Sequence, residues 1–253
     1  PKVESRDADG QGMPWVVSGL GRAQAQEVPR VADRVIYGGT PADASVIEAI
    51  TAMRAAGKRV MFYPFVLMDQ LEGNGSPDPY GGAEQAQRPR RGRIRAPVAP
   101  GGEGSPESTA AMADEVAAFF GQAQASDFNV SAGTVGYAGP EEWRFRRFIL
   151  HNAALCAAAG GVDAFCIGSE MRGLTTLRGA GNSLPAVAQL RALAAEVRAI
   201  LGPEVKIGYA ADWSEYFGYH PQDGTGDVFF HLDPLWADDN VDFIGIDNYM
   251  PLS

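Results

Sequence analysis

Asp163-Ala-Phe-Cys-Ile-Gly-Ser-Glu-Met-Arg172 is apolar through its middle on both sides of a strand alternation, then turns abruptly polar. Strands buried on both faces read in this way, and they belong to parallel sheets covered by helices. Glu170 falls where the strand ends. Gly168-Ser169 supplies a final turn that directs its carboxylate toward the end of the sheet rather than into a helical layer.

The flanking sequence fits such a unit. Pro140-Glu141-Glu142 predicts a helix start, with acids where the helix dipole favours them. Trp143, Phe148, Leu150 and Leu155 lie in that helix, and Gly160 ends it. Downstream, Ser183 to Leu201 predicts a helix with Leu190, Leu193, Val197 and Ile200 on one face and Gly202 as its stop. Strands are predicted at Val205 to Ala210 and Val241 to Ile246. Upstream, Thr40 reads as an N-cap, Pro41 as the first helical position and Asp43 as a capping-box variant. Val46, Ile47, Ile50 and Met53 share a face, and Gly57 closes the helix. A strand over Arg59 to Met68 follows, in which Pro64 marks a break or bulge in the ladder. A shorter strand is expected at Trp15 to Val17, another strand or an extended connection at Arg34 to Tyr37, and a short helix from Met112 to Phe120.

Alternating strands and helices give a parallel sheet with right-handed crossovers. Two closures compete, an open doubly wound sheet and a (β/α)8 TIM barrel. No G-x-G-x-x-G or Walker sequence follows a strand, which disfavours a nucleotide-binding open sheet. What recurs is a polar residue at each strand end: Asp69, Glu170, Asp212, and Asp247 with Asn248. In a barrel these ends share one mouth. The expected fold is therefore an α/β TIM barrel. Only five or six strands can be counted, so the barrel is read as incomplete in this segment, lacking its first strand and last two. Residues 1–253 are taken as a single domain from a longer chain, with 70–108 as a long Gly/Pro/Arg-rich loop insertion.

Composition removes several classes of function. The 253 residues carry a formal net charge of −10, against sequence-independent nucleic-acid binding. No apolar run reaches the length of a membrane span. Cys156 and Cys166 are too few for a disulfide framework or a zinc site and read as reduced core residues. His151, His220 and His231 have no metal-ligand spacing. No metal or other cofactor is implied.

Three strand ends could carry chemistry. Glu170 against apolar walls could hold a proton for donation near neutrality; the alternative is an ion-paired loop acid, with Arg172 as neighbour. Tyr209-Ala-Ala-Asp212-Trp213-Ser-Glu215-Tyr216 sets acids beside aromatic rings, a combination that suits a sugar ring, although the aromatics could simply close a barrel rim. Asp247, Asn248 and Tyr249 could bind substrate hydroxyls or orient Glu170, or Asp247 could cap a loop. Arg88, Arg90, Arg91, Arg93 and Arg95 read either as a solvated loop or as contacts to an anionic partner.

The stretches Pro14-Trp-Val-Val, Tyr37-Gly-Gly-Thr-Pro, Phe62-Tyr-Pro-Phe, Cys166-Ile-Gly-Ser-Glu-Met-Arg-Gly and Phe243-Ile-Gly-Ile-Asp-Asn-Tyr-Met resemble the TIM-barrel-like domain of gene transfer agents and phage tails. The resemblance runs through nearly the whole chain and is weakest over 84–105. It implies a tail-tip hub protein of a phage-like particle, assembled in the cytoplasm and released from the cell. The implied partners are other tail-tip proteins, further copies in a symmetric oligomer such as a trimer, and a cell-surface glycan or peptidoglycan. That domain is in turn similar to retaining (β/α)8 glycoside hydrolases. The likeness implies Glu170 as acid/base, with the nucleophile on a strand outside this segment. Asp69, Ser169, Asp212, Trp213, Glu215, Tyr216, Asp247, Asn248 and Tyr249 would line the substrate site. Ser169 stands where those enzymes commonly have Asn, which weakens the case for turnover. Two functions are therefore expected to compete: a glycan-acting hydrolase-like domain, and an inactive structural or receptor-binding module of the tail hub.

Overall fold

The computed structural model describes residues 1–3, 14–131 and 133–249. In chain order its main elements are α1 (Asp43–Ala55), β1 (Met61–Phe62), α2 (Ala111–Phe120), α3 (Phe145–Ala158), β2 (Ala164–Ser169), α4 (Arg172–Thr175), α5 (Pro185–Leu201), β3 (Lys206–Asp212), α6 (Asp233–Trp236) and β4 (Phe243–Asp247). The four strands form one parallel sheet, and their spatial order is their order in the chain. A doubly wound sheet reverses its order at a switch point, and no reversal occurs here. The described strands do not close into a barrel.

Crossovers of one hand place the helices on one face of the sheet. There α3 and α5 pack together against β2 and β3. Ile149, Leu150, Leu190, Leu193, Val197, Phe165 and Ile207 are completely buried at this junction. Both long helices end as glycine predicts, with Gly202 at φ 83° after α5 and Gly160 at φ 87° after α3. The other face of the sheet curls. Tyr63, just past β1, donates a 2.5 Å hydrogen bond to Asp247 Oδ2 at the end of β4. These strands lie three spacings apart, about 14 Å on a flat sheet, and side chains standing perpendicular to a flat sheet could not meet across it. Within this concave face the ring of Phe243 lies over Gly208, where an added Cβ would sit 2.5 Å from it. Cys166 is pushed up to about 12 by burial and then by the charge of Asp247.

Several local expectations are corrected. Arg34 to Tyr37 does not join the sheet: Arg34–Val35 pairs only with Arg30–Val31, and Val16–Val17 only with Leu20–Gly21, both as antiparallel two-residue ladders. Thr40 does not cap α1, which starts at Asp43 with Ala42 as N-cap. The Thr40 carbonyl instead accepts from Trp15 Nε1 at 2.8 Å. Asp43 accepts from the Ser18 N–H and pairs with His151 on α3, each at 2.8 Å. Met53 is exposed. Glu142 lies before α3 and accepts from the N–H groups of Gln122 and Ala123. The ladder of β1 is only two residues long, as Pro64 anticipates. The hairpin Phe128–Ser131 with Thr134–Tyr137 was not expected, although Phe128, Val130, Val135 and Tyr137 alternate with polar or small residues as in a half-exposed strand.

The start of β4 is fixed by Asp242, which accepts from the Ile207 N–H at 2.8 Å and pairs with Arg198 and Lys206. Burial opposes its charge, but these donors outweigh burial and hold its carboxyl below the usual carboxylate range. A lowered folded-state pKa contributes stability above the unfolded value and loses it as pH falls through the folded one. Urea melts of the wild type are expected to weaken below about pH 4. Asp242→Asn should be less stable at neutrality and should show a flatter acid limb; an acid limb unchanged by the substitution would count against this role.

Candidate functional site

The strand ends gather a cluster that the separate motifs do not reveal. Glu170 follows β2 with a left-handed backbone, φ 50°, and its N–H donates to the Ala210 carbonyl of β3 at 2.8 Å. A non-glycine residue in this conformation is held there by its surroundings, a form of strain that concentrates at functional sites. The carboxylate is not an isolated acid among apolar walls. Arg91, from the 70–108 segment, places Nη2 2.7 Å from Glu170 Oε2, and the side chains are only 14% and 6% exposed. Its Nε also donates to the carbonyl and Oγ of Ser169, at 3.0 and 2.8 Å. Among the described residues, Glu170 Oε1 is buried and accepts no hydrogen bond.

The segment bearing Arg91 is built to dock. Residues 70–108 contain only the short 3-10 turn Arg91–Arg93, yet side chains tie their backbone together. Glu84 accepts from the N–H groups of Gly73 and Gly75, Asp78 from those of Tyr80 and Gly82, and Asn74 donates to Leu71 and Gln85. Ala96 is buried in the main core. Gly173 on α4 permits the contact: a Cβ there would lie 2.5 Å from the Gly92 carbonyl oxygen and 2.7 Å from that of Ile94. Gly92 in turn packs against the Glu170 carbonyl.

Around this pair stand Tyr63, Asp247, Tyr249 and Phe65. Burial first, then the hydrogen bond to Asp247, pushes the Tyr63 phenol far up. The hydrogen bond with Glu170, followed by burial, raises the Tyr249 phenol. Arg91 lies 4.9 Å from the Phe65 ring centroid, and Arg90 5.7 Å from that of Tyr249. Ser169, Glu170, Asp247 and Tyr249 are thus brought into one cluster, while Asn248 follows Asp247 and is itself engaged.

The other candidates are placed differently. Asp69 is paired with Lys2 at 2.5 Å. Asp212 is the β3 register partner of Asp247 and caps the turn Trp213–Glu215 by accepting from the Ser214 N–H. Glu215 points inward and is buried, accepting from the Asp212 N–H at 2.8 Å and from Thr175 Oγ1 at 2.6 Å, with His231 Nε2 3.8 Å away. Trp213, Tyr216 and Phe217 form an exposed aromatic group beside it, and Arg172 reaches Ser214 at 3.1 Å rather than Glu170. Tyr63 and Phe65 were not expected as site residues, and Arg91 was expected only in a solvated loop or as a contact to an anionic partner, not as the partner of Glu170. Ile94 and Ala96, apolar residues within a polar arginine run, were the available hint that this stretch is anchored. Among the described residues, no group of three or more His, Cys, Asp or Glu side chains could hold a metal ion.

A singly wound parallel α/β unit, with an arginine-closed carboxylate at its strand ends, is therefore the class that fold and site define. Within it, residues 143–253 match the family model of the GTA TIM-barrel-like domain, where GTA denotes the gene transfer agent. This is the family the sequence resembles, and the match includes β2, β3, β4 and Glu170. The motifs at Pro14, Tyr37 and Phe62, and Arg91 itself, lie outside it. No curated protein matches the chain.

Proposed function

We propose that this chain contributes a glycan-engaging module to a gene transfer agent particle, and that in the arrangement described its mouth binds rather than cleaves. The observation that carries this reading is the guanidinium of Arg91 seated 2.7 Å from Glu170 Oε2 and almost excluded from solvent. A general acid must be free to present a proton to the leaving oxygen, and here one oxygen is already taken by a cation that Gly173 and Ala96 help hold in place. The exposed rings of Trp213, Tyr216 and Tyr249 supply flat apolar faces for sugar C–H groups, with Asp247 as a polar neighbour, while Ser169 is buried and held by Arg91. The sequential parallel sheet with a concave inner face supports an incomplete (β/α)8 barrel. A place at the tail tip, beside other tail proteins and further copies of this chain, follows from the family resemblance.

One observation favours the hydrolase reading. Among the described residues Glu170 Oε1 has no hydrogen-bond partner, and it is buried and presented on strained backbone, as an oxygen kept for substrate would be. Retaining chemistry also needs a second carboxyl about 5–5.5 Å away.

The test uses solubilised envelope glycan with the wild type, Glu170→Gln, Gly173→Ala and Trp213→Ala. Wild type should bind without releasing reducing ends. Trp213→Ala should bind roughly tenfold more weakly, the order of one stacking contact. Gly173→Ala, which displaces the arginine segment, should alter affinity without starting turnover. Reducing ends released by the wild type and lost in Glu170→Gln would replace this reading with a hydrolase, and absence of binding by the wild type would end the glycan reading.

A further inference from the structure

We infer that the glycan engaged at this mouth is polyanionic, and that Arg88, Arg90, Arg93 and Arg95 form the surface that reads its charge. The inference rests on the glycan reading above and names the class of glycan. The four arginines are exposed and fall within eight residues, on a chain whose formal net charge is −10. The chain's other arginines divide, with Arg91, Arg146, Arg178, Arg191 and Arg198 each on a carboxylate and others, such as Arg34 and Arg172, on none among the described residues. Among the described residues, none of the four touches a carboxylate.

The reason lies in how the segment is folded. Of its own acids, Glu84 holds the N–H groups of Gly73 and Gly75 and Asp78 those of Tyr80 and Gly82, while Glu72 and Glu103 make no ion pair among the described residues. Glu107 is taken by Arg178 at 2.9 Å. The four guanidiniums are thus left without a carboxylate in contact among the described residues. Their charge is also held in place, because Arg91 is pinned on Ser169 and Glu170 in the middle of the run.

Two of the four guanidiniums lie over aromatic rings, Arg95 at 4.7 Å from the Tyr80 centroid and Arg90 at 5.7 Å from that of Tyr249. Stacking occupies the face of a guanidinium and leaves its in-plane N–H donors pointing outward, the geometry that grips a carboxylate or phosphate bidentately. Tyr249 also borders Glu170, so the charged surface is continuous with the mouth. A neutral sugar chain would gain nothing from these four cations. A chain carrying uronate or phosphate groups would be drawn in and oriented by them.

The experiment measures binding of polygalacturonate and of the same polymer after reduction of its carboxyl groups, which removes charge and keeps the sugar backbone. Polyglutamate and single-stranded DNA serve as other polyanions. Wild type is expected to prefer polygalacturonate by about tenfold, as two or three exposed charge contacts would give. The preference should shrink as salt rises from about 0.05 M to about 0.5 M, where screening is severe. The combined variant Arg88→Gln, Arg90→Gln, Arg93→Gln, Arg95→Gln should bind both polymers alike. Arg93→Gln alone, at a side chain with no ion pair, should lose part of the preference without disturbing the fold. Equal wild-type affinity for the two polymers overturns this inference and leaves the glycan reading standing. Binding of neither polymer removes both. Polyglutamate or DNA bound as tightly as polygalacturonate would make the patch a protein or nucleic-acid contact and overturn the inference as well.

Discussion

Arg91→Met is expected to destabilise the protein by about 3–5 kcal/mol, because it strands a buried carboxylate without its cation. Glu170 is 6% exposed, and once the guanidinium is removed only the neutral Tyr249 hydroxyl is left beside its buried charge. The substitution also removes the donor to the Ser169 carbonyl and hydroxyl. The double variant Arg91→Met, Glu170→Leu should recover most of the loss, since a buried ion pair replaced by apolar groups of similar size is often neutral. Urea melts of wild type, the two single variants and the double variant give the coupling directly. A coupling near zero would mean that the pair is loose and solvent-screened, and the closed mouth would then carry no argument.

The second large effect is expected at Glu215. Its two oxygens hold the Asp212 N–H and the Thr175 hydroxyl, the Tyr209 hydroxyl approaches at 3.5 Å, and His231 lies beside it. The Tyr209 phenol is itself pushed far up by burial, then by the charge of Glu215, while accepting from the Met171 N–H. Glu215→Ala leaves at least two buried donors unsatisfied, each costing about 1–3 kcal/mol, so a loss of about 3 kcal/mol is expected. The turn bearing Trp213 and Tyr216 should loosen, and glycan affinity should fall with it. Glu215→Gln keeps one acceptor oxygen and should lose less. Stability and affinity unchanged in Glu215→Ala would show that this network does not hold the aromatic turn. The role differs from the sugar-contacting one expected of Glu215, because its carboxylate faces the core.

Reading outward from residues 163–172 was reliable where the physics is local. A strand buried on both faces must be apolar throughout, so β2 was legible. A helix between a sheet and solvent must repeat its apolar face, so α5 was legible through Leu190, Leu193 and Val197, all completely buried. The corrections fall where a local signal competed with a distant partner. Asp43 looked like part of a capping box, but it holds Ser18 and His151. Glu142 looked like a first-turn acid, but it caps N–H groups twenty residues upstream.

The same division runs through the site. Residue spacing by itself determined that Glu170 and Asp247 stand at strand ends, because side-chain alternation and the polar switch at each end follow from the pleat and from burial. It also determined an unbalanced charge at 88–95. Only the tertiary structure decided that Arg91 meets Glu170, that Tyr63 reaches Asp247 across a curled sheet, and that Glu215 turns inward. A buried charge takes its energy from whichever groups the fold brings within a few ångströms, and 31 acids among 21 basic residues offer far more pairings than spacing can choose between.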